Sequence, residues 1–376
     1  MNLKPLELAW RRLWIRAITA RLPRRARGTP DWSARPHKVL FLRHDRLGDM
    51  ILTTGALRAI KASHPTITLH VLASPLNAPL LAHDPAVDRV LVFDRKRLGR
   101  YLATMRQLRR ERYDAVVDCM VTAPSLTTLL LMLATGAPHR IGAAGRGDDR
   151  AVTIAVPRPP WAVHMADKLA ALAAAFGVDV ARADRAPRLV ITDEERRQAD
   201  ATWRRFGEGR GRRMLVNISA GLAFRRWPAE RFVGVIRRAL QRDPALRVIV
   251  IAAPAEAALG EQVAGDTRSG RVAFRRTAGI RDAIALVATA DLVFTPDTSI
   301  AHAATAFARP SVVLYVSDTA REWGRYGNPG RDLASTDRTL ASLPLDLALA
   351  AIDELVDLVA HGPLVAPAPP DPFLEQ

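Results

Sequence analysis

A single cysteine, Cys119, stands in 376 residues, which excludes an intramolecular disulfide and any all-thiolate metal cluster. Its setting, DAVVDCM, reads as the end of a buried strand, where a core thiol is expected and not a nucleophile. Long apolar runs are lacking as well. A bilayer span needs about 20 continuous apolar residues, and the best stretch, Pro124 to Pro138, is short and carries three threonines and a serine. The N-terminus does not read as a secretory signal, because Arg11, Arg12 and Arg16 interrupt what would be its apolar segment. Cytoplasmic residence is the expectation. Zinc-finger spacing and an aromatic RNA-binding signature are absent, and no metal-binding cluster is apparent; Asp148 and Asp149, adjacent in a glycine-rich turn, read as solvent-facing.

What is present belongs to a globular protein. The chain is 49% hydrophobic and 25% charged, and its length favours about two domains. Its formal charge is +17, and the segment Met1 to His37 alone holds nine Lys/Arg against two Asp/Glu. There Trp10, Leu13, Trp14, Ala17 and Ile18 recur at helical spacing, with Arg11, Arg12 and Arg16 elsewhere on the turn. Such a basic amphipathic helix either lies on an anionic membrane surface or packs on the protein's own body. Arginine scattered over the remaining chain argues against nucleic acid as the partner, although charge alone is weak evidence.

After this arm, apolar runs alternate with helical stretches. Strands are expected at Lys38–His44, Ile67–Ala73, Arg89–Phe93, Tyr113–Cys119 and Arg140–Ala143, with helices at Asp49–Ser63, Pro75–His83, Leu98–Arg110 and Pro124–Thr135. Strand, helix, strand at this spacing describes a parallel sheet covered on both faces. A second alternating unit starts at Met214, and a terminal helix spans Leu345 to Ala360, before a loose proline-rich tail. The expected organisation is an arm (1–37), a Rossmann-like domain with a connecting helix (38–185), a second Rossmann-like domain (186–335) and a C-terminal helix and tail (336–376). The fold class is α/β, with two Rossmann-like domains facing a central cleft and ligands beyond the carboxyl ends of the strands.

Three strand-to-helix loops carry the polar residues that chemistry needs. In FLRHDRLGDMILTTGALRAI, Asp49 stands at the mouth of a helix; it either caps that helix or accepts a proton from an attacking hydroxyl. No G-K-S/T and no G-x-G-x-x-G accompanies it, which argues against a Walker loop or a standard NAD site. Arg43 and Arg46 flank it and suit an acidic acceptor, with pairing to Asp45 or Asp49 as the competing role. In NISAGLAFRRWPAERF, Ser219, Ala220 and Gly221 form a small turn able to admit phosphate, and Arg225 or Arg226 can meet phosphate oxygens with two parallel hydrogen bonds. Trp227 fills a gap beneath that loop more naturally than it stacks on a base. In DLVFTPDTSIAHAATAFARPSVVLYVS, a strand delivers Asp297, Thr298 and Ser299 to a helix N-terminus, a ready anion site. His302, one turn on, either touches a pyrophosphate or satisfies a neighbouring carbonyl.

Together the three loops resemble glycosyltransferase family 9, the lipopolysaccharide heptosyltransferases and their relatives, over roughly Lys38 to Gly330. RHDRLGDMILTTGALRAIKASHP carries the Gly-Asp pair, GLAFRRWPAERF is similar to the family's Lys-x-Trp-Pro segment, and PDTSIAHAATAFARPSVVLY to its Asp-Thr-Gly-x-x-His-x-x-Ala segment. The resemblance implies a GT-B fold, a metal-independent inverting transfer without cofactor, and a nucleotide-sugar co-substrate, typically ADP-heptose. It makes Asp49 the catalytic base, Arg225 the phosphate-neutralising cation, Asp297, Thr298 and His302 donor-site residues, and Glu256 the ribose ligand. Ser299 stands where the family has glycine, Arg225 where it has lysine, and Ala220 and Gly221 where some members carry hydroxyls. Those departures keep an anion site and weaken the assignment of ADP-heptose. The implied function moves a sugar to a lipopolysaccharide-core or related envelope glycan, on the cytoplasmic side and at the periphery of the inner membrane. A nucleotide-sugar epimerase of similar architecture and a non-catalytic RNA-binding protein are the alternatives.

Overall fold

The computed structural model describes residues 4–22, 28–94, 98–205 and 211–361. The expected loose tail beyond 361 and part of the arm lie outside them. The chain divides into two compact units, Met1–Arg185 and Ala186–Gln376.

The first unit comprises α1 (Lys4–Ala20), β1 (Lys38–Leu42), α2 (Leu47–Ser63), β2 (Thr68–Ala73), β3 (Arg89–Val92), α3 (Leu98–Arg110), β4 (Ala115–Asp118), α4 (Leu126–Thr135), β5 (His139–Ala143), β6 (Ile154–Val156) and α5 (Met165–Ala170). Its six strands are parallel in the order β3-β2-β1-β4-β5-β6. Both faces are covered, which is why KVLFL is apolar without alternation. Leu40 and Leu42 pack with Val116, Leu131 and Met132, whereas Phe41, pointing to the opposite face, stacks on Phe176 with centroids 6.3 Å apart. Cys119 is fully buried just past β4, and burial pushes its thiol up to about 12, as befits a core residue.

The second unit comprises α6 (Asp193–Arg204), β7 (Arg213–Asn217), α7 (Ala229–Arg242), β8 (Arg247–Ile251), α8 (Ala257–Asp266), β9 (Val272–Arg275), α9 (Ile280–Thr289), β10 (Leu292–Pro296), α10 (Ser299–Ala306), β11 (Ser311–Tyr315), α11 (Ala320–Trp323), β12 (Gly330–Ala334) and α12 (Leu345–His361). Its strand order, β12-β11-β10-β7-β8-β9, repeats that of the first unit. α12 returns to bury Ile352, Leu355 and Val356 in the same core as Phe232 and Ile236 of α7. The α/β class with two Rossmann-like sheets is therefore what the chain adopts. In each unit the strand order reverses beside the first strand, between β1 and β4 and between β7 and β10, and ligands of such sheets bind there.

Three expectations are corrected. Pro75–His83 is not an α-helix but a single 3₁₀ turn, Ala78–Leu81, because two prolines remove backbone donors and Asn77 ties the preceding loop. Two edge strands, β6 and β12, are additional. The apolar stripe of the arm is really two stripes. Ile15 is buried and Ile18 and Leu22 pack beside it on the first unit's core, while Trp10, Leu13 and Trp14 are 54%, 65% and 46% exposed. Trp32, farther along the arm, is buried against Phe176 and donates to the Ala175 carbonyl at 2.8 Å.

Candidate active site

In the first unit, the chain leaves β1 through Arg43 to Arg46 and enters α2. Arg43 continues the side-chain alternation of Val39 and Phe41 and is buried. Its Nε donates to Thr53 Oγ1 at 2.9 Å, Nη1 to Asp45 Oδ2 at 3.0 Å and Nη2 to the Cys119 carbonyl at 2.9 Å. Pairing with Asp45, the competing role, is therefore what Arg43 does, and an acceptor-binding surface is not where it lies. Arg46 is exposed as the residue preceding α2. Asn77, fully buried, closes the loop by donating to the Arg43 carbonyl at 3.3 Å.

Asp49 is not the cap of α2. That position falls to Arg46, which makes no side-chain cap bond, and Asp49 is the third helical residue. Its carboxylate is buried, with Arg43 Nη1 at 3.8 Å. Burial raises its pKa, against the opposing pull of Arg43. A carboxylate held partly out of water and above its usual range is a stronger base than a solvated one. Beside it, His44 faces Thr128 Oγ1 at 3.3 Å and packs edge-on against Phe93. Burial lowers its pKa, so the neutral imidazole is favoured.

The carboxyl end of β4 corrects another expectation. Asp149 is exposed, but Asp148 is buried. Arg146, itself inaccessible at the side chain, bridges Asp118 at 2.8 Å and Asp148 at 2.9 Å. Burial raises the pKa of Asp148, with Arg146 pulling the other way. The glycines around this turn let the chain fold inward over its own charges. The nearest sequence signal, the arginine two residues before Asp148, has its second partner 28 residues away.

In the second unit, Asn217 ends β7 and joins the two loops at the switch point. Its Nδ2 donates to Thr295 Oγ1 at 2.9 Å and Thr298 Oγ1 at 3.1 Å, and its Oδ1 accepts from the Ser219 backbone at 3.2 Å. Thr298 caps α10, accepting from the Ile300 N–H at 3.3 Å. Ser219 Oγ accepts from the Ala253 N–H, which ties this loop to the one after β8. Arg225 pairs with Asp297 at 2.8 Å. Arg226 approaches Glu256 at 3.3 Å, an ion pair without hydrogen-bond geometry that leaves Glu256 Oε1, buried, without a hydrogen-bond partner. Ser219, Arg225, Asp297 and Thr298 are thus brought together, with Glu256 alongside through Arg226. Ser299 is half-buried in the first position of α10, and His302 is buried one turn deeper, its ring 6.3 Å from that of Trp323. Trp227 fills the space beneath the loop and donates to the Leu343 carbonyl at 3.1 Å. Asn217 escaped the sequence-based set because an asparagine ending an apolar strand carries no ligand signature. Among the described residues, no three His, Cys, Asp or Glu side chains converge as a metal site.

The switch point of the second unit offers a helix N-terminus, hydroxyls and arginine, an arrangement suited to an anionic diphosphate. That of the first offers a buried carboxylate. The model of glycosyltransferase family 9 (heptosyltransferase) matches residues 101–341. Lipopolysaccharide heptosyltransferase 2 of Salmonella typhimurium is 25% identical over 304 residues, spanning 74% of this chain and 82% of the relative. The lipopolysaccharide core heptosyltransferase OpsX of Haemophilus influenzae is 23% identical, spanning 80% and 84%. Among solved structures, a family 9 glycosyltransferase from Veillonella parvula superposes with a TM-score of 0.75 at 18% identity, covering 87% of this chain and 99% of that one. The Escherichia coli heptosyltransferase WaaC with ADP does so with 0.69 at 18% identity, covering 85% and 99%. The fold is accordingly GT-B-like.

Proposed function

The chain belongs to glycosyltransferase family 9, and we propose that it transfers heptose from ADP-heptose to an acceptor hydroxyl of the lipopolysaccharide core. The observation that carries the proposal is the pairing of two unlike sites at equivalent places in the two sheets. An anion cradle follows β7 and β10, and a buried, basic carboxylate follows β1. Relatives bearing the heptosyltransferase name, and one solved with ADP, support this donor and acceptor class.

In the proposed reaction an acceptor oxygen attacks the anomeric carbon from the side opposite the diphosphate. The carbon–oxygen bond to the diphosphate breaks and the nucleoside diphosphate departs with the electron pair. Asp49 takes the hydroxyl proton as the new bond forms, and the configuration inverts. The charge developing on the leaving group is met by Arg225 and by the N–H groups opening α10, donors fixed before the reaction begins. Arg225 then shares itself between Asp297 and phosphate, so Asp297 orients the arginine and accepts from sugar hydroxyls. Ser299 and His302 line the same helix end, and Glu256 takes the ribose hydroxyls. On the acceptor side Arg46, with its exposed guanidinium, replaces Arg43 as the cation for an acidic glycolipid. Such an acceptor places the enzyme at the periphery of the inner membrane, on its cytoplasmic face.

The test supplies the purified protein with ADP-heptose and a heptose-deficient core glycolipid, and follows product mass and released ADP. One added heptose per ADP supports the proposal. A changed sugar nucleotide formed without acceptor makes the protein an epimerase, and no turnover with this donor refutes the assignment of ADP-heptose.

A further inference from the structure

The helix α1 has two apolar faces, and its packing on the first unit uses one. Ile15 and Thr19 are buried, Ile18 and Leu22 pack beside them, and Arg150 donates to the Ala20 carbonyl at 3.2 Å. The helix is thus held in place by its own domain. On the other side Trp10, Leu13 and Trp14 stand in solvent, the two indoles edge to face with centroids 5.8 Å apart. Single exposed apolar residues need no explanation, but two tryptophans and a leucine within five positions of a docked helix form a patch.

Cations lie on the flanks between the two apolar faces. Arg11, Arg12, Arg16 and Arg21 are exposed. Arg11 pairs with Glu7, the sole acid of the helix, while Arg12 and Arg16 meet no carboxylate among the described residues. Arg11, Arg12 and Arg16 also line, with Ile15 and the loop Thr122–Leu126, an open groove of about 460 Å³ at the edge of the docked face. Tryptophan flanked by unpaired arginine suits the boundary between phosphate headgroups and acyl chains, where the indole is half in hydrocarbon and guanidinium meets phosphate. A second copy of this chain is a poor occupant. Three side chains fall well short of the roughly 800 Å² per partner of a standard interface, and the arginines would face one another.

We infer that α1 is a membrane-surface anchor: its inner face is fixed to the first unit and its outer face inserts Trp10, Leu13 and Trp14 into an anionic phospholipid surface, with Arg12 and Arg16 on the phosphates. A helix rigidly docked on the domain that carries Asp49 would fix the distance of that carboxylate from the membrane plane. This purpose rests on the glycolipid-acceptor proposal, but the anchor itself does not.

The test is flotation of the full chain with vesicles containing phosphatidylglycerol, against pure phosphatidylcholine. Wild type should float with the anionic vesicles and release as salt rises. Trp10→Ala with Trp14→Ala should weaken binding at least tenfold. Arg12→Gln with Arg16→Gln should weaken it roughly 25-fold, at about fivefold per cation near an anionic surface. Both variants should keep wild-type thermal unfolding and transfer to a water-soluble acceptor, and lose transfer to a vesicle-embedded one. Absence of both transfers in wild type counts against the proposed reaction without touching the anchor, whereas variants that lose transfer to the water-soluble acceptor as well overturn the inference. Equal flotation of all three proteins, or wild type remaining in solution, overturns the inference. So does a wild-type dimer that the tryptophan variant dissolves.

Discussion

Asp49→Asn separates a catalytic from a structural carboxylate, because the two roles predict opposite changes. Asp49 lies 3.8 Å from Arg43 Nη1. At an effective dielectric of about 20 that separation corresponds to a gross attraction on the order of 4 kcal/mol. The raised pKa nevertheless has burial as its largest cause, so desolvation of the charge outweighs the attraction. The sign follows from linkage. Below the unfolded-state pKa both states are protonated and the group contributes nothing. As pH rises through the higher folded-state pKa, the folded protein resists losing a proton that the unfolded chain gives up freely, and stability falls. At neutral pH the charge of Asp49 therefore costs stability. Removing it does not strand Arg43, which keeps Asp45, Thr53 and the Cys119 carbonyl.

The expected result is a variant at least as stable as wild type, with nearly unchanged donor affinity and kcat lowered by about 10² to 10⁴, the span of a lost general base. That corresponds to about 2.7 to 5.4 kcal/mol on the barrier. Urea unfolding, calorimetric titration with the nucleotide sugar and steady-state kinetics read the three quantities. In wild type the acid limb of kcat/KM should lie above the ordinary carboxylate range, since the base must be deprotonated and burial raises its pKa. A destabilised variant that keeps most of its kcat would refute the argument and make Asp49 a helix-terminus charge.

Arg43→Met should destabilise the first unit by about 3 to 5 kcal/mol, as removal of one partner of a buried pair does, while acceptor KM of whatever folds stays the same; urea unfolding and kinetics check both. Arg146→Met leaves two buried carboxylates unpaired and should cost a similar amount, with the deficit shrinking as pH falls and Asp148 protonates, read from denaturant midpoints across pH. Asn217→Ala removes the bridge to Thr295 and Thr298. About 1.4 kcal/mol of lost hydrogen bonding, near the upper end for such bonds, is about tenfold in donor dissociation constant, measurable by calorimetry at little cost to the intrinsic transfer rate once donor is saturating.

The strands that carry the sites were legible because parallel strands buried on both faces write continuous apolar runs. KVLFL and MLVNI could be nothing else at that spacing. The edge strands β6 and β12 were not, since Ile154–Val156 is three residues long and Gly330–Ala334 is only partly buried and carries two charges. The loops were legible by residue type, since hydroxyls, arginine and aspartate gather at strand-to-helix turns. Their internal pairings were not, because each partner comes from a distant strand. Arg43 reaches the end of β4, and Asn217 reaches across to β10. Alternation along β1 still held a clue, since position 43 falls on the same buried face as Val39 and Phe41, and an arginine there must find acceptors inside.

The repeated topology explains why the two sites differ in kind. Both units bring together the loops after their first and fourth strands, beside a helix N-terminus. A helix N-terminus favours negative charge whether it belongs to the protein or to a ligand. In the second unit the first turn of α10 holds no acid, and Thr298 uses its oxygen on one N–H, so the remaining donors favour an incoming phosphate. In the first unit the first turn of α2 already contains Asp49, which occupies the place an anionic ligand would take. Burial opposes that charge while the dipole and Arg43 support it, and burial prevails in raising its pKa. In the proposed reaction the difference between the leaving-group site and the base site thus reduces to where the anion comes from. Moving an acid into the first turn of α10, as in Ser299→Asp, should abolish donor binding by like-charge repulsion, and unimpaired donor binding by that variant would show that α10 does not hold the diphosphate.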